Sequence, residues 1–373
     1  MKVLIIGAGI GGLAAALALD ADGHDVTVFE QAPDLRQGGA AVTLWSNGTG
    51  ILSELNVTLD GTGAPIDVLE TRDHRGRMLV SIDVAQAAAR YGHPHVCLPR
   101  ARLLERLAEG LPASMINFGR ACTSVAQQGA SVRAAFADGS TADADVLIGA
   151  DGRGSAVRDQ VWGGDPGQLT GWATWQGIGP VPIGITSSRR SVMFLGRAGS
   201  CGLMPAGEGL LQWWFDQRWA PATAPLDSPV AALREAFGSW AAPVPEVLAA
   251  VTDTDVGFFP HYRHAVPRTW GTGRVTVIGD AAHSMPPTRA QGANQALEDA
   301  WAMARALRTT PDVPTALRTF ERQRSPKASL VSRQAGSEDY NRYGSMLARL
   351  MPGTLASRYY TRWLGQISTY LAA

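Results

Sequence analysis

Apolar residues in this chain fall into runs of two kinds. Val3 to Ile6 is continuously apolar, the pattern of a strand buried on both faces of a parallel sheet. Leu13 to Ala21 follows as a helical run ended by Gly23-His24, and Val26 to Phe29 is a second buried strand. Val146 to Ile148 and, much later, Val275 to Ile278 repeat that pattern, and each ends in a Gly/Asp turn. Elsewhere the runs alternate. Val68 to Val84 predicts strands with a hairpin at His74-Arg75-Gly76, and Ser131 to Phe136 and Ala142 to Ile148 predict strands joined at Asp138-Gly139. Gly171 to Asp255 alternates with dense tryptophans and predicts an antiparallel sheet with one greasy face, hence a second lobe. A short helix is expected near Gly50 to Leu55 and an amphipathic one from Pro99 to Leu111. The tail from Arg322 onward reads as helical, with breaks at Pro326 and Pro352.

Chemistry sits at the ends of the buried strands. Gly7, Gly9 and Gly12 form a G-x-G-x-x-G turn between strand and helix, and Glu30 closes the second strand 18 residues after Gly12. Glycines there let the backbone approach a pyrophosphate at a helix N-terminus, and the carboxylate accepts from ribose hydroxyls. The unit predicts a dinucleotide site without choosing NAD or FAD. These glycines, with Asp20 and Asp22 where a cleavage site would fall, argue against a signal peptide. The stretch Arg274 to Ala300 brings Asp280 at a strand end close to a helix start, which suits a ribitol hydroxyl beside an electron-rich ring edge. In Asp145 to Arg158, another strand ends at Asp151-Gly152, and Ser155 is placed to cap the next helix.

Composition narrows the partners. Formal net charge is +0 over 373 residues, so nothing points to nucleic acid or an anionic membrane. No apolar run is long enough to cross a bilayer. Cys97, Cys122 and Cys201 are scattered, without metal-ligand spacing, and read as reduced structural thiols of a cytoplasmic protein; no metal site is expected.

In order along nearly the whole chain, GAGIGG with Glu30, DVLIGADGRGSAVR and GDAAHSMPPTRAQGAN resemble the three motifs of the single-component FAD-dependent aromatic hydroxylases, those with the p-hydroxybenzoate hydroxylase fold. LPRARLL, GWATWQG and GLMPAGEGLLQWWF resemble that family's intervening segments. The resemblance implies an α/β protein with an α+β second lobe. A Rossmann-like FAD-binding domain would comprise residues 1–70, 97–168 and 266–325, and an antiparallel-sheet substrate domain residues 71–96 and 169–265. A C-terminal helical segment would span 326–373, without the extra domain of larger relatives.

The resemblance also implies roles. Gly7, Gly9 and Gly12 line the FAD pyrophosphate; Glu30 takes the adenosine ribose; Arg36 and Arg100 reach the diphosphate or ribityl region. Asp151 serves FAD and NAD(P)H, and Asp280 holds the ribitol. Pro286 and Pro287 edge the isoalloxazine, and Gly292, Ala293 and Asn294 offer backbone N–H groups at its pyrimidine end. Trp45, Trp172, Trp175, Met204, Trp213 and Pro286 are the expected substrate-pocket residues. Ala290, Ala41, Gln31 and Gln176 depart from the family pattern, and Ala290, standing for a usual glycine, is expected to restrict flavin movement.

The implied activity is a monooxygenase with non-covalent, tightly bound FAD, reduced by a transient NADPH or NADH. It would insert one atom of O2 into an aromatic or polycyclic small molecule through a flavin C4a-hydroperoxide, as a monomer or homodimer. No catalytic base is evident; His93, His261 and Tyr262 are the candidates for activating a phenol, and His283 reads as positional. A flavin-dependent reductase of the geranylgeranyl-reductase type is the alternative. A halogenase needs a catalytic lysine, and Lys2 and Lys327 are the only two.

Overall fold

The computed structural model describes residues 1–35, 39–165, 167–222, 228–339, 341–342, 346 and 351–373. Four sheets organise it. The first is parallel throughout, in the order Val275–Val277, Val146–Gly149, Lys2–Ile6, Asp25–Phe29, Ile116–Asn117. Its continuous apolar strands are buried because helices cover it; Ile10–Ala21 packs on Gly292–Thr309 through small residues such as Gly11 and Ala296. A three-stranded antiparallel sheet (Cys122–Gln128, Ser131–Phe136, Thr141–Ala144) hangs from this lobe.

The second lobe is a seven-stranded sheet, ordered Gly257–Arg263, Gln168–Pro180, Leu210–Arg218, Gly199–Pro205, Arg190–Gly196, Val68–Asp73, Met78–Asp83. Its outer face is an apolar core of Trp175, Phe194, Leu203, Trp213 and Phe215, closed by two helices, Pro229–Phe237 and Val244–Ala250, that alternation alone did not suggest. Its inner face looks toward the FAD-type lobe. A small sheet of Ala41–Leu44, Val96–Pro99 and Ala64–Pro65 lies at the junction.

Three local expectations change. The run Ala142 to Ile148 is two strands in two sheets, because at Asp145 the chain leaves the hairpin: the Lys2 N–H donates to the Asp145 carboxylate at 2.7 Å and the Asp145 N–H to Lys2 O. The helix expected near Gly50 begins at Ser46. Pro326 breaks nothing; it sits inside a helix running from Val313 to Gly336. A mid-helix proline costs about 3 kcal/mol, but buried Arg324, Ser325 and Ala328 around it are held by tertiary contacts that outweigh that cost.

Candidate active site

The glycine turn is fixed by close backbone approach. A Cβ at Gly12 would stand 1.9 Å from the Gly7 carbonyl oxygen, and one at Gly7, whose φ is +106°, 2.4 Å from that of Ala150. At Gly9 a Cβ would meet nothing, so the turn opens onto empty space there. No side chain caps the helix at Gly9, which leaves its first N–H groups for an anion. A groove lined by Gly7, Gly9, Glu30, Arg100, Asp151 and Gly152 runs from this point. Glu30 accepts from the Ala8 and Ala32 N–H groups at 2.7 and 2.9 Å, which sets the strand end against the turn. Asp151 accepts from the Ser155 hydroxyl at 2.5 Å and the Val157 N–H at 3.2 Å, while Ser155 caps Arg158 N–H at 2.9 Å. Burial pushes the Asp151 carboxyl up against the pull of these donors. Arg36 lies outside the described residues.

The second motif is built on a buried ion network. Gly279, at φ +59°, donates its N–H to Asp299 at 2.9 Å, and His283, fully buried, meets the same carboxylate at 2.6 Å. Arg324 lies between Asp299 and Glu298, 2.8 Å from each, and reaches Gln295 at 2.6 Å. Glu298 also accepts from Asn47 and from the Thr369 N–H, so the last helix's exit is tied to the same group. His283 is thus a brace. Asp280 opens the turn Asp280–His283 with its side chain exposed. Beyond Pro286 and Pro287, Ala290 takes a left-handed φ of 47°. The helix Gly292–Thr309 then starts with no side-chain cap, and its first residues Gly292 and Ala293 are half-exposed. Asn294 is spent internally: its amide accepts from the Trp45 N–H and donates to Thr43 O and Ala290 O.

These two uncapped helix starts, with exposed Asp280 in the turn ahead of the second and a turn that only glycine fits ahead of the first, suit an extended dinucleotide carrying a flavin ring. The ring would lie against Pro286 to Ala293, facing the inner surface of the seven-stranded sheet.

That surface consists of cross-strand rows. Met204, Gln212 and Ile178 form one, Gly202, Trp214 and Gln176 the next, and Ser200, Asp216 and Thr174 a third. Met204 and Trp45 belong to one buried cluster, against which Met285, Ala290 and Trp214 pack. Thr43 donates to the Met204 sulfur at 3.2 Å, and Gln212 reaches Cys97 and Ala41 O. Trp172 shares this face at its far end, beneath exposed Arg218 at 5.2 Å. Trp175 and Trp213, expected in the pocket, are instead on the outer face, because strand neighbours alternate sides; Trp213 is fully buried there. The same alternation turns Gln176 and Trp214 inward, pocket walls that tryptophan density alone does not single out.

The candidate bases separate. His93 packs against Tyr370 and the helix Ser46–Glu54, away from the rows. Tyr262 lies under the Arg153 guanidinium at 4.5 Å. His261 is buried, with Nε2 2.6 Å from Thr174 Oγ1 and Nδ1 2.7 Å from Glu338. His95, 2.9 Å from Ser46 Oγ, stands edge-on to Trp45, and burial lowers its pKa to about 4.

The family described as "FAD binding domain" matches residues 1–335. The chain belongs to it. Its cofactor is FAD. Among curated relatives, the FAD-dependent urate hydroxylase of Klebsiella pneumoniae is 32% identical over 332 residues, covering 87% of this chain and 86% of that protein. The 3-amino-4-hydroxybenzoate 2-monooxygenase of Streptomyces cremeus is 35% identical over 344 residues, covering 90% and 86%. Among solved structures, Klebsiella pneumoniae HpxO complexed with FAD and uric acid superposes with a TM-score of 0.92 at 28% identity, over 98% of this chain and 97% of that one. Among the described residues, no helix is long and apolar enough to cross a membrane.

Proposed function

We propose that this protein, an FAD-dependent monooxygenase acting on aromatic small molecules, takes electrons from NADPH or NADH and places one oxygen atom of O2 on a planar ring. The ring would be held between the Pro286–Ala293 loop and the sheet rows of Met204 and Trp214. FAD, when bound, supplies the chemistry of reduction and oxygen activation. The chain's own residues do the rest. Gly7, Gly9, Gly12 and the N–H groups of the first helix hold the diphosphate; Glu30 and Asp280 take hydroxyls; Arg100 and Asp151 line the groove between. The start of the helix Gly292–Thr309 favours negative charge at the pyrimidine end of the ring. Trp45, Met204 and Met285 exclude water from the reacting face. Residues 71–96 and 169–265 would carry the substrate, and the three stretches around them the cofactor.

The observation that carries this reading is the buried cluster containing Trp45 and Met204, against which the partly buried Trp214, Met285 and Ala290 pack, an aromatic-lined surface beside the loop proposed to face the flavin. The test is a screen for compounds that accelerate NADPH oxidation, followed by mass analysis of products. A gain of one oxygen atom supports it. NADPH oxidation with every compound returned unchanged, or reduced under anaerobic conditions, overturns it.

A further inference from the structure

We infer that the pocket reads a neutral, planar heteroaromatic ring with adjacent N–H and C=O groups, seated on Trp214 and held by the Gln176 amide, and that it rejects ring acids. This rests on the monooxygenase reading above and names its substrate class.

The floor comes first. A Cβ at Gly202 would fall 1.9 Å from Trp214 Cζ2 and 2.0 Å from Cε2. The indole therefore lies flat on the neighbouring strand's backbone, a platform for a second flat ring. Gln176 stands directly opposite Trp214 across the strand pair, half-buried and facing the same way. Among the described residues its amide has no hydrogen-bond partner. An amide offers a donor and an acceptor side by side, the complement of a lactam edge. A half-buried amide without a partner carries a desolvation cost that such an edge would remove.

Charge supplies the exclusion. One row on, about 7 Å along the strands, lies a buried chain: Asp216 to Thr174 at 2.5 Å, Thr174 to His261 at 2.6 Å, His261 to Glu338 at 2.7 Å. Ser200 stands 3.1 Å from Asp216 and 3.0 Å from the Asn341 amide oxygen, closing the chain with a further hydroxyl. Glu338 further accepts from Thr170 and Asn341, each at 2.8 Å. None of the nine residues in the three rows is a lysine or arginine; Arg218 lies at the strand end, exposed over Trp172. A carboxylate on the ring would leave water for rows that hold no cation to pair with it, which a neutral ring does not.

The test uses the FAD-loaded protein and two bicyclic probes of similar size, 2-quinolone and 2-naphthoate, titrated against the flavin absorption bands. The expected result is 2-quinolone bound at least about tenfold tighter. Gln176→Leu should weaken 2-quinolone about tenfold to a hundredfold, the effect of two lost hydrogen bonds, and Gln176→Glu should weaken it further. The visible spectrum of each variant reports its FAD content and so its fold. No preference between the probes, a preference for 2-naphthoate, or wild-type 2-quinolone affinity in Gln176→Leu would each overturn the inference. The monooxygenase reading fails separately, when compounds that bind produce no oxygenated product.

Discussion

The Trp45 indole N–H donates to the carbonyl of Ala290 across 3.0 Å, joining the start of the helix Ser46–Glu54 to the loop the flavin ring would face. That carbonyl also receives the Asn294 amide at 3.0 Å. Two donors from two elements therefore hold a residue whose left-handed φ costs a non-glycine residue about 1 kcal/mol. The loop is kept in one shape at some local expense.

Ala290→Gly removes that expense and loosens the loop. Lower strain and greater unfolded-chain entropy nearly cancel, so the melting temperature should stay within a few degrees. Stopped-flow reduction of the bound FAD by NADPH should become several-fold faster. An unchanged rate would dismiss Ala290 as the restraint on flavin movement.

Asp280→Ala should give a folded protein largely free of FAD. The side chain is exposed and takes no part in the Asp299 network, so its loss leaves the fold intact. The ratio of flavin to protein absorbance after purification measures it; full FAD retention would break the assignment of Asp280 to the ribitol.

Arg324→Met should destabilise the protein by about 3–5 kcal/mol, because it strands two buried carboxylates. Burial alone would raise the Asp299 pKa, but the charges of His283 and Arg324, with their hydrogen bonds and that of Gly279, hold it below the ordinary value. A depressed carboxyl stabilises the fold above its unfolded pKa and loses that contribution as pH falls through the folded value. Acid unfolding below about pH 4 should accordingly be less steep in Asp299→Asn than in the parent. Equal slopes in chemical denaturation series would count against this.

His95 gives a window at milder pH. Its pKa falls from 6.5 to about 4 on folding. The neutral ring stabilises the fold fully above pH 6.5, and up to about 3 kcal/mol is lost as pH drops toward 4. Thermal melts at pH 7 and pH 5 should differ less in His95→Gln than in the parent.

Both segments proposed to grip FAD are legible in the sequence because each is local. Strand, glycine turn, helix and acid follow one another within about thirty residues, and the Asp280 loop is equally continuous. The pocket was less so. Tryptophan density suggested an aromatic wall, but which tryptophans face inward depends on strand parity, which put Trp175 and Trp213 outside and Gln176 and Trp214 inside. His261 stands out in the sequence but its partner does not, since Glu338 lies 77 residues away and only tertiary packing brings the two together. Pro326 misled for the same reason: local propensity forbids what the contacts of Arg324 and Ser325 enforce.

The parallel sheet joins Lys2–Ile6 to Val146–Gly149 and that strand to Val275–Val277, so its edge arrives late in synthesis. A nascent chain emerging from the ribosome would carry the diphosphate turn for most of its elongation without the strand that presents Asp280. Pairings of such long sequence separation close slowly and leave an unpaired edge meanwhile. On the proposed role of Asp280, cofactor loading waits for that last strand, and added riboflavin during expression should raise the yield of folded protein.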